Sequence, residues 1–449
     1  MLRFMAENLR EQYEKARQLG KLAFAERPYF GSPAAPAQAE TNASQIWGHI
    51  NAGYLIAYEY TRWWKESLAL RSAAVIGDWS WLNKTRVRGR DAFRLMSYAT
   101  VKDLSRQSIG QVVYTPMTNA EGKVAIEGLT LKLAEDEYLF TQSAGFKWLE
   151  FLKQKTGMKV ELQDVTPDYT CYALQGPRST EVLEAVTGES WRDLKFSRFR
   201  KISLLNTETI VSRQGVTGEV GYEFLMRTDT GRAHELWRRL REVGRDFGLR
   251  ELGFKAQMIG HTETGIATVI RDFLPARGTP EQLRRMMRHW MSAEELERMD
   301  SPVEEHLCSP AELGWEHTIS RDKGDFFGSA ALMRESPRRR LMGLEWSSED
   351  LAELYAAQFR DAPGAPPPDL PTGQFRVLFL RVREGGWASG YAYSPTLRRM
   401  ISLARLDREI PTGTKVQVAW GGFSDEPRMA IGATVVELPF IARNRKKAL

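Results

Sequence analysis

In the stretch Arg213-Gln-Gly-Val-Thr-Gly-Glu-Val-Gly-Tyr-Glu-Phe-Leu-Met226, glycines recur at every third position (Gly215, Gly218, Gly221), and carboxylates follow at Glu219 and Glu223. Glycine at this spacing lets the backbone turn tightly and lets a flat ligand come close. A carboxylate just past such a turn can accept paired hydrogen bonds from a ring N–H and an adjacent amino group. Taken alone, the stretch also reads as a glycine-rich hairpin with surface acids. Elsewhere, the six histidines (His49, His234, His261, His289, His306, His317) are scattered without metal-ligand spacing. There is no GxGxxG after a first strand, no Walker loop, no HExxH and no Cys-x-x-Cys pair, so an organic cofactor would have to be held by shape and hydrogen bonding.

The elements that must position these groups read as follows. A strand over 202–212 feeds the glycine stretch, and a short apolar segment leads out of it. Residues 2–20 have an amphipathic helical pattern, and a Pro/Ala-rich connector covers 33–39. Residues 54–70, dense in Tyr and Trp, read as helical. Strands are expected near 73–89, 111–115, 130–133, 138–141 and 172–174, with helices over 145–156, 179–186 and 230–247. Residues 280–299 read as a charged helical insertion, and a proline-rich linker spans 363–371. Short strands separated by turns fill the rest. The expected class is α+β, divided into an N-terminal helical extension (1–53), an α/β region of two interleaved subdomains (54–270), a helical insertion and connector (271–344), and a C-terminal all-β barrel or sandwich (345–449).

With 449 residues the chain exceeds a single ordinary core. Its 42% hydrophobic content, mean hydropathy of −0.41 and two cysteines fit a soluble protein of a reducing, cytoplasmic compartment. No apolar run reaches membrane-span length. Net charge is +6, but the basic residues are dispersed among 57 acids, which argues against nucleic acid as partner and is compatible with an anionic small molecule.

Read in order, several segments resemble the tetrahydrofolate-dependent aminomethyltransferase (glycine cleavage T-protein) superfamily. DWSWLNKTRVRGRDA (Asp78 to Ala92) resembles its D-x-S-H-M-G-K-x-x-V-x-G-x-D-A run, and Tyr172-Ala-Leu-Gln-Gly-Pro177 its A-L-Q-G-P. The glycine stretch resembles R-x-G-Y-T-G-E-D-G-F-E. Cys308 to Trp315, Phe327-Gly328, Ala388 to Leu397 and Gly413 to Val416 resemble later motifs. Met342 to Ala356 and Ser394 to Gly413 look like extensions of the branch of folate-dependent aryl methyl ether O-demethylases acting on vanillate, syringate or dicamba-type methoxybenzoates.

That resemblance implies a three-domain cloverleaf around a central folate site, with tetrahydrofolate as cofactor and a methoxylated aromatic acid as methyl donor. It implies folate contacts from Glu223, Tyr114, Gln142, Val216 and Tyr222, donor contacts from Trp81, Lys255 and Arg271, and a reaction centre at Gln257 and His261, read as one loop. Glu219 is expected to face solvent. His261 is expected to act as proton donor, because an ordinary imidazole populates both forms near neutrality. Some positions depart from the T-protein pattern: its catalytic aspartate falls on Ile126 with Glu127 beside it, its arginine on Gln257, its histidine on Trp81 and its glycine-loop tyrosine on Val216. A sulfonium or N-methyl donor, or folate binding without transfer, remains an alternative; oligomeric state is open.

Overall fold

The computed structural model describes residues 10, 11, 14, 30–50, 54–141, 144–288, 296, 302–360, 365–369, 379–421, 428–442 and 444–447. Gln142 and most of the expected first helix lie outside them.

The central element is a sheet of six strands in the order Phe199–Leu204, Thr207–Ser212, Gly221–Met226, Tyr172–Gln175, Val75–Asp78, Arg250–Glu251. Its pairings are antiparallel except the last. Gly221–Met226 is buried along its whole length. Strand alternation sends Tyr222, Phe224 and Met226 into one core with Trp237 and Leu236, and Leu225 into another with Trp79, Ile210 and Phe199. Burial on both faces explains why this segment reads as a continuous apolar run.

A second sheet has five antiparallel strands ordered Glu161–Asp164, Lys84–Arg88, Glu137–Thr141, Leu129–Ala134, Val112–Tyr114. The C-terminal sheet has six, ordered Leu380–Arg381, Gly386–Ser394, Arg399–Asp407, Arg339–Trp346, Arg428–Val436, Lys415–Gly421. A bridge between Val382 and Val418 joins its outer strands, so this domain is a nearly closed barrel rather than a sandwich. Its first strand starts at Arg339, inside the stretch read as connector.

Two helical expectations, the 1–53 extension and the 54–70 segment, give way in part to strands. Tyr54–Glu59 pairs with Phe30–Gly31 and Ile46–Ile50 in a three-stranded sheet, and helix begins only at Trp63. Aromatic and β-branched side chains suit both a helix stripe and a pleated surface, and here sheet pairing decides. The opposite error falls on Phe254–Glu263, which forms a helix instead of a loop. Every residue in it except Lys255 is buried, so it has no polar face to reveal the helical period. The charged insertion does contain a helix, Pro280–Met287, started by a capping box between Thr279 and Gln282. Among the described residues no helix is long and apolar enough to cross a membrane.

Candidate active site

The glycines of the central stretch serve the chain itself. A Cβ on Gly215 would sit 2.0 Å from Gln175 Oε1, and one on Gly221 would sit 2.3 Å from Gln175 Nε2. The Gln175 amide therefore lies in the space those two glycines vacate. There its Nε2 donates to the Gln214 carbonyl (3.1 Å) and its Oε1 accepts from the Thr217 hydroxyl (2.9 Å). Gly218 is the turn residue, at φ 83°, and its carbonyl accepts the backbone N–H groups of Asn444 and Arg445.

Glu219, expected in solvent, is buried. Arg71 reaches it at 3.1 Å, donates to the Thr217 carbonyl at 2.7 Å, and binds Glu263 at 2.6 Å. One buried guanidinium thus ties the glycine loop to the helix Phe254–Glu263. Arg71 lies 148 residues before Glu219, so no local pattern announces the pair.

Glu223 lies on the face of its strand opposite Tyr222. It is 8% exposed, and its carboxylate takes no hydrogen bond from any described residue. Burial pushes its pKa up to about 7, against the opposing pull of Lys84. Lys84 is fully buried, and burial lowers its pKa; its ammonium donates to the carbonyls of Ser80 (3.0 Å) and Leu82 (2.7 Å), fixing the loop between Asp78 and Lys84. In the apolar cluster that holds Leu225, the Trp79 indole N–H is also buried without a partner. A buried carboxylate and, in the adjoining apolar cluster, an N–H left unbonded are what a polar heterocyclic ligand would satisfy. Tyr222 faces away: its hydroxyl meets Thr180 at 3.0 Å and its ring packs on Trp191.

Two residues beyond Trp79, Trp81 turns to the helix Phe254–Glu263 and meets Phe254 edge-on at 6.5 Å. Ile56, Tyr58 and Met258 complete that cluster. Phe254, Gln257, Met258 and His261 are spaced i, i+3, i+4, i+7 and share one helix face. The opposite face carries Gly260, whose missing Cβ admits Leu70, and Glu263. On the first face the Gln257 amide has no partner among the described residues, and His261 Nε2 is buried without one. His261 Nδ1 lies 2.9 Å from the Thr268 hydroxyl. Burial, and then the neighbouring Arg271 charge, push its pKa down to about 3. The imidazole is therefore neutral at physiological pH. That corrects the expectation of a readily titrating acid.

The two expected carboxylate partners are engaged within the fold. Lys255 pairs with Glu59 at 3.4 Å. Arg271 donates to the carbonyls of Met258 (3.2 Å) and Gly390 (2.7 Å) and to the Thr262 hydroxyl (2.5 Å).

Residues 41–282, more than half the chain, match the GCVT N-terminal domain. The chain belongs to the GCVT family. It is 28% identical over 406 residues to an aminomethyltransferase of Caldanaerobacter subterraneus subsp. tengcongensis, covering 88% of this chain and 92% of the relative. An aminomethyltransferase of Moorella thermoacetica is 27% identical over 403 residues, covering 88% and 93%. The fold matches the glycine cleavage system aminomethyltransferase T of Bartonella henselae with a TM-score of 0.69 at 19% identity, over 94% of this chain and all of that one. These matches establish the T-protein fold and a folate-dependent transferase, and the GCVT family uses tetrahydrofolate. The uncommitted Glu223 carboxylate, with the unpartnered Trp79 N–H in the adjoining cluster, fits a pterin, which offers both donors and acceptors.

Against the GCVT pattern, the position of the expected catalytic acid is closed. Ile126 is 3% exposed and packs in the core with Tyr138 and Met117. Glu127, the next residue, interacts with Tyr114, whose pKa is driven well above its ordinary value by burial first and by Glu127 second. The Tyr114 ring packs edge-on against Trp315 at 5.5 Å. Val216 joins the cluster on the Glu223 side. Arg445 stands over Phe196 at 5.6 Å, and its charge is felt at Tyr114. No sequence signal pointed to Arg71, Lys84, Gln175 or Arg445. Lys84 and Gln175 lay within motifs already singled out, but their roles depend on contacts across the fold. Among the described residues no cluster of His, Cys, Asp and Glu could hold a metal.

Proposed function

We propose that this GCVT-family enzyme transfers a methyl group from a methoxylated aromatic acid, of the vanillate, syringate or dicamba type, to tetrahydrofolate, leaving a phenol. The observation that carries this reading is the helix face Phe254, Gln257, Met258, His261 opposite Trp81. It is aromatic and apolar, with two uncommitted polar groups and no carboxylate. The flat ring and methoxy group of an aryl ether suit such a wall.

Tetrahydrofolate supplies the nucleophilic N5 that accepts the methyl group. Glu223 would grip the pterin edge and Trp79 would add a donor, with Tyr114 and Val216 around it. Lys84 and Gln175 hold the loops that carry these groups, so that donor and acceptor meet in fixed alignment. Trp81, Phe254 and Met258 would exclude water from the methyl, and His261 and Gln257 would face the aryl oxygen. In a dry site a hydrogen bond to that oxygen is worth more as charge develops on it. The buried Ile126, standing where T-proteins use an acid, weighs against aminomethyl transfer from a lipoyl arm. A carboxylate on the ring would have to compete with Glu59 for Lys255.

The test is incubation with tetrahydrofolate and a panel of methoxybenzoates, following 5-methyltetrahydrofolate and the phenol by liquid chromatography. Stoichiometric appearance of both is expected. Formation of 5-methyltetrahydrofolate only from a sulfonium or N-methyl compound would refute the aryl donor, and Tyr58, Trp81 and Phe254 would then be read as a cation–π cage.

A further inference from the structure

The segment Thr268–Asp272 is built with more constraint than a connector needs. Ile270 sits at φ 73°, a left-handed conformation that a β-branched residue adopts only at a cost of about 1–3 kcal/mol. It is held there by Ile270 N–H to the Phe273 carbonyl (2.7 Å) and Asp272 N–H to the Thr268 carbonyl (2.8 Å). The Asp272 side chain closes the loop from the other side, accepting the Thr268 N–H at 2.8 Å and the Ser389 hydroxyl at 2.8 Å. Gly390 completes the clamp. A Cβ there would lie 2.5 Å from Asp272 Oδ1 and 2.9 Å from Arg271 Cζ, so the barrel strand Gly386–Ser394 comes close enough for its carbonyl to accept from both Arg271 and Thr262.

This clamp fixes two things next to His261: the Thr268 hydroxyl at Nδ1, and the Arg271 guanidinium against the same helix turn. The Thr268 hydroxyl has no other described partner. If it donates to Nδ1, both groups are satisfied and the ring hydrogen resides on Nε2, the buried atom left unbonded on the donor face. The reverse tautomer would leave the hydroxyl hydrogen without an acceptor and present only a lone pair. The charged groups around the ring are Arg271 on the following loop, which acts on it directly, and Asp272 beside Arg271. The cation is nearest, and together with burial it opposes a second proton on the ring.

We propose that Thr268 and Arg271 are positioning residues that keep His261 as a neutral Nε2–H imidazole, which donates a hydrogen bond to the aryl oxygen as the methyl departs. The proposal rests on the aryl ether reading above. The O–CH3 bond breaks with its electron pair going to oxygen, a new bond joins the methyl to the acceptor nitrogen, and the acceptor's proton leaves to solvent. His261 keeps its own hydrogen throughout, as the neutral histidine of triosephosphate isomerase does in polarising a carbonyl. Its work is electrostatic rather than acid catalysis.

The first experiment needs no donor. Nitrogen-15 NMR of histidine-labelled protein should show His261 neutral and protonated at Nε2 from pH 5 to 8. That signature should persist in Thr268→Ser and be lost to a tautomer mixture in Thr268→Val. Titration of His261 within that range, or a hydrogen on Nδ1 in the wild type, would overturn the proposal. The second experiment uses methoxybenzoates of graded phenol acidity. Thr268→Val should lower kcat about 10- to 100-fold, most for the poorest leaving groups, with folate affinity unchanged and Thr268→Ser restoring the rate. Arg271→Met should move the uptake of a second proton by His261 to higher pH in the same NMR titration, with burial still holding it below its ordinary value. Equal rates for Thr268→Val and wild type, or equal loss in both Thr268 variants, would overturn the role. If the NMR signature holds but no aryl ether reacts, the tautomer stands and the leaving-oxygen role falls with the aryl reading.

Discussion

If the Glu223 carboxylate grips the pterin, folate binding must expel a proton near neutrality. With its free pKa pushed up to about 7, the group is about one-tenth ionised at pH 6 and about nine-tenths ionised at pH 8. A ligand that needs the carboxylate should therefore bind about tenfold more weakly at pH 6, a difference of about 1.4 kcal/mol. The sign for stability is opposite. A buried acid with a raised pKa favours the folded state below its ordinary value near 4.5 and costs the fold progressively as pH climbs to about 7, by about 3 kcal/mol in full. Folate should thus raise the melting temperature more at pH 8 than at pH 6. Isothermal titration with 5-formyltetrahydrofolate, in buffers of differing ionisation enthalpy, should count about 0.9 proton released per site at pH 6. Glu223→Gln keeps the volume and removes the titration. It should weaken binding by about 2 kcal/mol, roughly 30-fold, and flatten the pH dependence. Wild-type binding that is independent of pH and releases no proton would refute the assignment of Glu223.

Three further perturbations probe the scaffold and the donor wall. Gly215→Ala should destabilise the fold by about 1–3 kcal/mol because its Cβ meets Gln175, and adding Gln175→Ala should recover part of that loss in urea unfolding. Arg71→Met should cost about 3–5 kcal/mol in the same assay, since Glu219 and Glu263 would both be left buried without their cation. Trp81→Ala should raise KM for the methyl donor while leaving folate affinity within about twofold, as its ring packs with Phe254 rather than with the Glu223 cluster.

What was legible in the sequence follows from range. The glycine stretch and Glu223 stood out because turn chemistry is local. The barrel strands were legible as short runs between turns. The purpose of Gly215 and Gly221 was not, because the side chain that fills their space comes from residue 175. Glu219 looked like a surface acid for the same reason: its cation is supplied by a distant helix. The helix Phe254–Glu263 was missed because amphipathic periodicity vanishes when both faces are buried, and with it the register that places Gln257 and His261 on one face. Tyr222 was mistaken for a ligand contact because motif adjacency ignores the alternation of a strand. The pKa of His261 was misjudged because burial and Arg271 are tertiary facts.

The close approach at Gly390 gives the barrel a significance its own side chains would not suggest. It lies beyond the matched family segment, residues 41–282, and offers no group to the methyl transfer proposed above. Yet its backbone carbonyl anchors Arg271 and Thr262, and its Ser394 hydroxyl holds Glu263 at 2.6 Å. The two halves of the site thus have different owners. The proposed pterin side is held mainly within the central sheet and the loops around it, whereas the proposed donor side is anchored from the barrel. Changes in the barrel could retune which methyl donor is accepted while leaving the folate side as it was, an arrangement in which substrate range and cofactor use evolve on separate surfaces.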